Sequence, residues 1–230
     1  MLDRELNEHV RVHQEVVNDY AELVLGNPFA PKTGPGIDAD CRYYCRHRLH
    51  DMLSIPDAQR DMRNAYHGGA AGAIASATAW LIAALVATFA SPTAGILALI
   101  LGGTLIFPAS VLLCKAIGRS GRHSKSNPLA PLAIEGTIWM LLCIPVAVGA
   151  ALYRVDWFFP AMLLVIAGRY LTFATLYGMK LYWAFAATLA AAVVPLIVLE
   201  APAVSGAYTG ALIEYAYGVA IFALVKSNAT

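Results

Sequence analysis

Glu135, Arg169 and Glu214 are the residues of this sequence best placed to do chemistry, because each stands inside a run that is otherwise almost wholly apolar. An unpaired charge at the centre of a membrane helix costs about 3 kcal/mol on insertion scales, so each of the three needs a partner, a ligand or a proton. One base and two acids suit two kinds of chemistry. Paired with each other, they staple helices together. Lining a cavity, they bind an anion, a cation or a proton. The residue types alone leave both open.

The elements that must position them are six apolar runs, at residues 68–89, 94–117, 129–152, 157–178, 182–199 and 204–225. Each is about the 20 residues that cross ~30 Å of hydrocarbon as a helix. Hydrophobic residues make up 59% of the chain and charged residues 13%, with a mean hydropathy of +0.60. A soluble domain carries about a quarter charged residues, so that class is excluded. A water-soluble bundle is excluded too, because six long runs with almost no polar face would leave it without a surface. The net charge of +1 argues against nucleic acid as a partner. The polar opening MLDRELNEHV predicts that no signal peptide starts the chain.

Basic residues set the orientation. Arg60 and Arg63 precede the first run, Lys115, Arg119, Arg122 and Lys125 separate the second from the third, Lys180 follows the fourth, and Lys226 follows the sixth. Six crossings put all of them on one side, leaving Arg154 with Asp156 on the other. The positive-inside rule then makes both termini cytoplasmic. The short stretches SPT (91–93), YRVD (153–156) and EAPA (200–203) read as tight outer turns, so the six spans form three antiparallel hairpins. The expected fold is an all-α integral membrane domain over residues 56–230, behind a cytoplasmic helical extension over residues 1–55.

Depth arithmetic proposes a partner for Arg169. Glu135 lies roughly 9 Å inside the cytoplasmic end of the third run, and Arg169 roughly 13 Å inside that of the fourth. A guanidinium arm spans the difference, which predicts a Glu135–Arg169 ion pair facing the bundle interior. Glu214 is deeper, roughly 16 Å from Val225. Gly210, Glu214 and Gly218 form an i, i+4, i+8 column, and small columns let helices pack closely, so Glu214 is expected to face protein. Its donors would come from Tyr215 and Tyr217 beside it, or from Tyr170, Thr172 or Thr175; alternatively it is carried as the protonated acid.

The remaining motifs are weaker. Residues 3–25 read as an amphipathic helix that Gly26 and Pro28 end, and DCRYYCRHRLHDML as a second, basic helix fit to lie on head groups or pack on a partner. Cys41, Cys45, His47 and His50 invite a zinc reading, but on one helix the two histidines point away from the cysteines, so no metal is expected. Cys114 and Cys143 lie inside spans as packing residues. The loop KAIGRSGRHSKSNP lacks the glycine-lysine order of a phosphate-binding loop. Lys115, Arg119, Arg122 and Lys125 are therefore expected to fix topology and touch anionic lipid. No nucleophile elbow, HExxH or carboxylate cluster is present, which argues against an enzyme and gives no catalytic residue and no cofactor.

From about residue 57 onward, the stretches AQRDMRNAYHGGAAG, GGTLIFPASVLLCK, GRHSKSNPL and WFFPAMLLVIAGRYLTFATLYGMKLYW resemble a family of bacterial multi-pass membrane proteins catalogued as a domain of unknown function. The resemblance implies the bacterial inner membrane and carries over no activity, cofactor or functional residue. The sequence expectation is binding or passage of a small solute or ion at Glu135, Arg169 and Glu214. The alternative is a non-catalytic subunit that assembles with itself or with a membrane protein partner in the lipid bilayer. An intramembrane enzyme acting on lipid ranks last, for want of a motif.

Overall fold

The computed structural model describes residues 54–227. The expected front helices and the cluster of Cys41, Cys45, His47 and His50 lie outside the described residues. What is described is helical, with no strand: α1 (Ile55–Tyr66), α2 (Ala70–Phe89), α3 (Pro92–Ala116), α4 (Ala130–Tyr153), α5 (Phe158–Tyr177), α6 (Leu181–Val198) and α7 (Ala203–Ser227), with single 3-10 turns at His67–Gly69 and Val155–Trp157. Six helices are long and apolar enough to cross a membrane, the signature of a multi-pass membrane protein.

Local chemistry sets the first element. The Ser54 side chain accepts from the Asp57 amide at 3.3 Å, Pro56 occupies the first turn, and Ala58, Met62 and Ala65 form one buried face. Capping by a hydroxyl and a proline in the first turn both favour a start there. α1 ends where His67, Gly68 and Gly69 take positive φ in succession, at 50°, 65° and 87°. Two glycines make this reversal cheap. A side chain at Gly69 would also meet the Tyr182 hydroxyl at 2.5 Å. That hydroxyl donates to the Gly68 carbonyl at 2.7 Å, tying α6 to the break.

α2 packs on both α3 and α7, α5 packs on α4 and α6, and α7 closes against α5 and α6. α2 and the α5 segment are the most enclosed, and α3 and α4 the least. The α2–α3 seam is built from small residues. At Gly95 an added Cβ would stand 2.5 Å from the Ala87 Cβ and 2.8 Å from the Ala83 carbonyl oxygen. Dispersion between closely approaching backbones drives such contacts in lipid, where no hydrophobic force acts between helices. At the opposite end from α1, Asp156 accepts from the Ala203 amide at 2.8 Å, capping α7 from the neighbouring loop. Arg154 pairs with Glu200 at 3.5 Å, largely in the open, where such pairs contribute little.

Two of the three glycines of α3 separate packing from propensity. Gly95→Ala should lower the stability of the detergent-solubilised protein by about 1–3 kcal/mol through overpacking. Gly103→Ala, where a Cβ meets nothing within 4 Å, should be neutral or stabilising. Thermal unfolding of the two variants checks this; equal melting points would contradict the seam.

Candidate functional site

The Gly210, Glu214, Gly218 column of α7 faces α2. A side chain at Gly210 would run into the Trp80 ring, and one at Gly218 would stand 3.0 Å from Ile74. The close approach leaves Glu214 with no exposed surface. Its Oε1 accepts the Tyr170 hydroxyl of α5 at 2.9 Å. Buried Ser76 of α2 lies beside the same carboxyl group. Oε2 has no hydrogen-bond partner among the described residues. A buried polar atom in that condition costs free energy unless a proton, ion or water meets it.

The hydroxyls adjacent to Glu214 in sequence are used elsewhere. Tyr215 bonds Thr78 of α2 at 2.8 Å and Tyr217 bonds Thr188 of α6 at 2.8 Å. On the helix Tyr215 points about 100° to one side of Glu214 and Tyr217, three positions on, about 60° to the other, so the two reach past the carboxylate to different helices. Tyr170 is in turn held by aromatic stacking, with its ring 3.9 Å from Phe185 and 6.0 Å from Tyr182. Thus α2, α5 and α7 all contribute to one sealed carboxyl site, with α6 supporting its donor.

The expected Glu135–Arg169 ion pair is not formed. Arg169 is half-buried; its Nη1 contacts the Met140 sulfur at 3.2 Å, and its guanidinium lies 5.4 Å from the centre of the Phe173 ring. Glu214 is the carboxylate within its electrostatic reach. Glu135 is exposed on the outer side of α4. The physical reason is rotational. Across the α4–α5 seam, Trp139 covers Gly168 while its neighbour Met140 meets Arg169. Glu135 stands one turn from Trp139 and shares its side, so acid and base flank the seam on opposite sides. Residue counting sets depth along a helix, but it does not set the rotation of α4 against α5.

At the other end of the site, α1 is clamped between a loop and the end of α5. Arg63 donates to the Tyr177 carbonyl and Gln59 to the Thr175 carbonyl at 2.8 Å, satisfying carbonyls that a helix end leaves open. Asp61 accepts from the Asn127 side chain at 2.7 Å and from the Ser124 amide at 3.0 Å; His123 bonds Tyr66 at 2.9 Å. Lys115, Arg122 and Lys125 are left exposed on that loop and Arg119 half-exposed. His67 is buried; its Nε2 meets the Phe222 carbonyl at 3.3 Å, so Nε2 carries the hydrogen.

Comparison with known families decides the kinship. The profile described as "Family of unknown function (DUF7010)" matches residues 55–225. The chain belongs to that family. The match starts at α1 and takes in all six apolar helices, so the clamp and the carboxyl site both fall within the family's extent. No curated protein and no solved structure matches the chain.

Sequence reasoning did not single out Ser76, Asp61 or Asn127. A serine among alanines in AGAIASATAW was the available signal for Ser76. The acid-amide contact joins residues distant in sequence and had none.

The Tyr170–Glu214 bond yields a stability test. Tyr170→Phe leaves a buried carboxyl group without its donor, at a cost of about 1–3 kcal/mol. Adding Glu214→Leu removes the orphaned group and should recover most of the loss. Unfolding of the single and double variants in detergent checks it; additive losses would contradict the coupling.

Proposed function

We propose that this is a multi-pass protein of the bacterial inner membrane, with both termini cytoplasmic, that binds and moves a small cation through Glu214, and that the cation is a proton. The observation that carries the reading is a carboxyl oxygen with no partner among the described residues, in a side chain with no exposed surface. A sealed carboxylate is stabilised by protonation, and the proton is the one cation that needs no coordination shell there. Tyr170 and Ser76 are hydroxyls able to pass it on. Intramembrane acids of this kind mark proton relays. Loading and release require α2 and α7 to part, since their close contact is what excludes water.

The basic residues support the orientation. Lys115, Arg119, Arg122 and Lys125 would lie on the cytoplasmic face against anionic head groups, beside the clamped α1. The outer turns would then join the spans as three hairpins.

Reconstitution tests the reading. In liposomes with a potassium-valinomycin potential and a trapped pH dye, wild type should acidify or alkalinise the lumen with the sign of the potential. Glu214→Gln, which keeps the shape and a hydrogen-bond acceptor, should reduce the flux ~100-fold or more at equal incorporation, the lower end of what positioned acid-base groups contribute. Unchanged flux in this variant, or none in wild type, would overturn the proposal.

A further inference from the structure

Two charges within the apolar helices, Glu135 and Arg169, form no salt bridge among the described residues, and they flank the same helix. Glu135 is exposed on one side of α4. Arg169, half-buried, lies on the other side, where its guanidinium has a thioether and an aromatic ring for company. A thioether is a weak acceptor for a group with five donors. α4 itself is among the two least enclosed helices. Between the two charges it presents Ile134, Ile138, Leu141 and Leu142, with exposures of 62%, 51%, 54% and 71%. Measured from the nearer ends of their helices, Glu135 is about 8 Å deep and Arg169 about 12 Å, close enough in height for one arm to reach the other.

We propose that the chain forms a homodimer through α4, about a two-fold axis along the membrane normal, with Glu135 of each copy paired to Arg169 of the second copy. The handedness of the charges is what selects this arrangement. In an isologous contact, the left flank of one copy faces the right flank of the other, and the reverse holds across the axis. An acid on one flank and a base on the opposite flank therefore form two equivalent ion pairs, while the apolar ridge of α4 meets its own copy between them. The bidentate geometry of a guanidinium on a carboxylate is the strong form of such a pair. The same opposition of flanks that prevents the pair within one chain satisfies it between two. This pairing stands apart from the Glu214 reading and survives its failure.

Charge exchange distinguishes this dimer from any other. Full-length protein in lipid nanodiscs or sparse liposomes, counted by single-molecule photobleaching, should be dimeric as wild type. Glu135→Arg alone and Arg169→Glu alone should each be monomeric, since each puts like charges together twice. Co-expressed with different tags, these two variants should co-purify as a heterodimer, because both pairs then match. If the reversals fail to insert, Glu135→Gln and Arg169→Gln supply the second measure. Each should weaken self-association at least ~10-fold, with insertion unchanged. A monomeric wild type, neutral variants that dimerise as wild type does, or inserted reversals that fail to pair when mixed would each overturn the proposal. A wild type that captures only a different membrane protein would do so as well.

Discussion

The close approach of α2 to the Gly210–Glu214–Gly218 face of α7 is the contact on which the rest of the described structure turns. Two glycines, one on each side of the acid, let Trp80 and Ile74 fill the space that side chains would have taken. The consequence for Glu214 is immediate: a group that would be solvated in a looser bundle is sealed. Lipid supplies no water to relieve it, so every polar atom inside the helices must be satisfied by protein or by a proton. Tyr170 answers for one oxygen. The other has no protein partner among the described residues, and the chemistry of the site follows from that.

The aromatic cluster of α5 and α6 is the second consequence. Tyr170 must stay in place if it is to hold Glu214, and its ring is fixed by Phe185, Tyr182 and Phe173. Tyr182 also holds the Gly68 carbonyl at the break between α1 and α2. A line of contacts thus runs from the carboxyl group to the clamp around α1, where Arg63 and Gln59 close the end of α5.

Much of this was legible before any coordinates. The six apolar helices follow from composition and run length, since hydrocarbon permits few alternatives. The Gly210 and Gly218 spacing points Glu214 into protein, and Tyr170, its donor, is one of the hydroxyls that the sequence offers there. The expected Glu135–Arg169 pair rests on depth, which sequence counts well; the rotation of α4 against α5 separates the two, and sequence counts that poorly when Trp139 and Met140 are equally able to face a neighbour. The Asp61–Asn127 bond and the bond from Tyr66 to His123 join a helix to a loop far along the chain. Such contacts leave no periodic trace. The loop's cations were visible, whereas its role as a strap over α1 was not.

Protonation of Glu214 inside the closed bundle is the claim from which the mechanism follows, and infrared difference spectroscopy of the protein in lipid membranes observes it directly. Spectra taken between acidic and alkaline baths, with carbon-13-labelled glutamate as an assignment check, should contain a protonated-carboxyl band from a water-free environment. That band should be missing from the Glu214→Gln protein. Its absence from wild type across the whole bath range would mean that the acid stays ionised, and the account of a sealed, proton-holding site would be wrong.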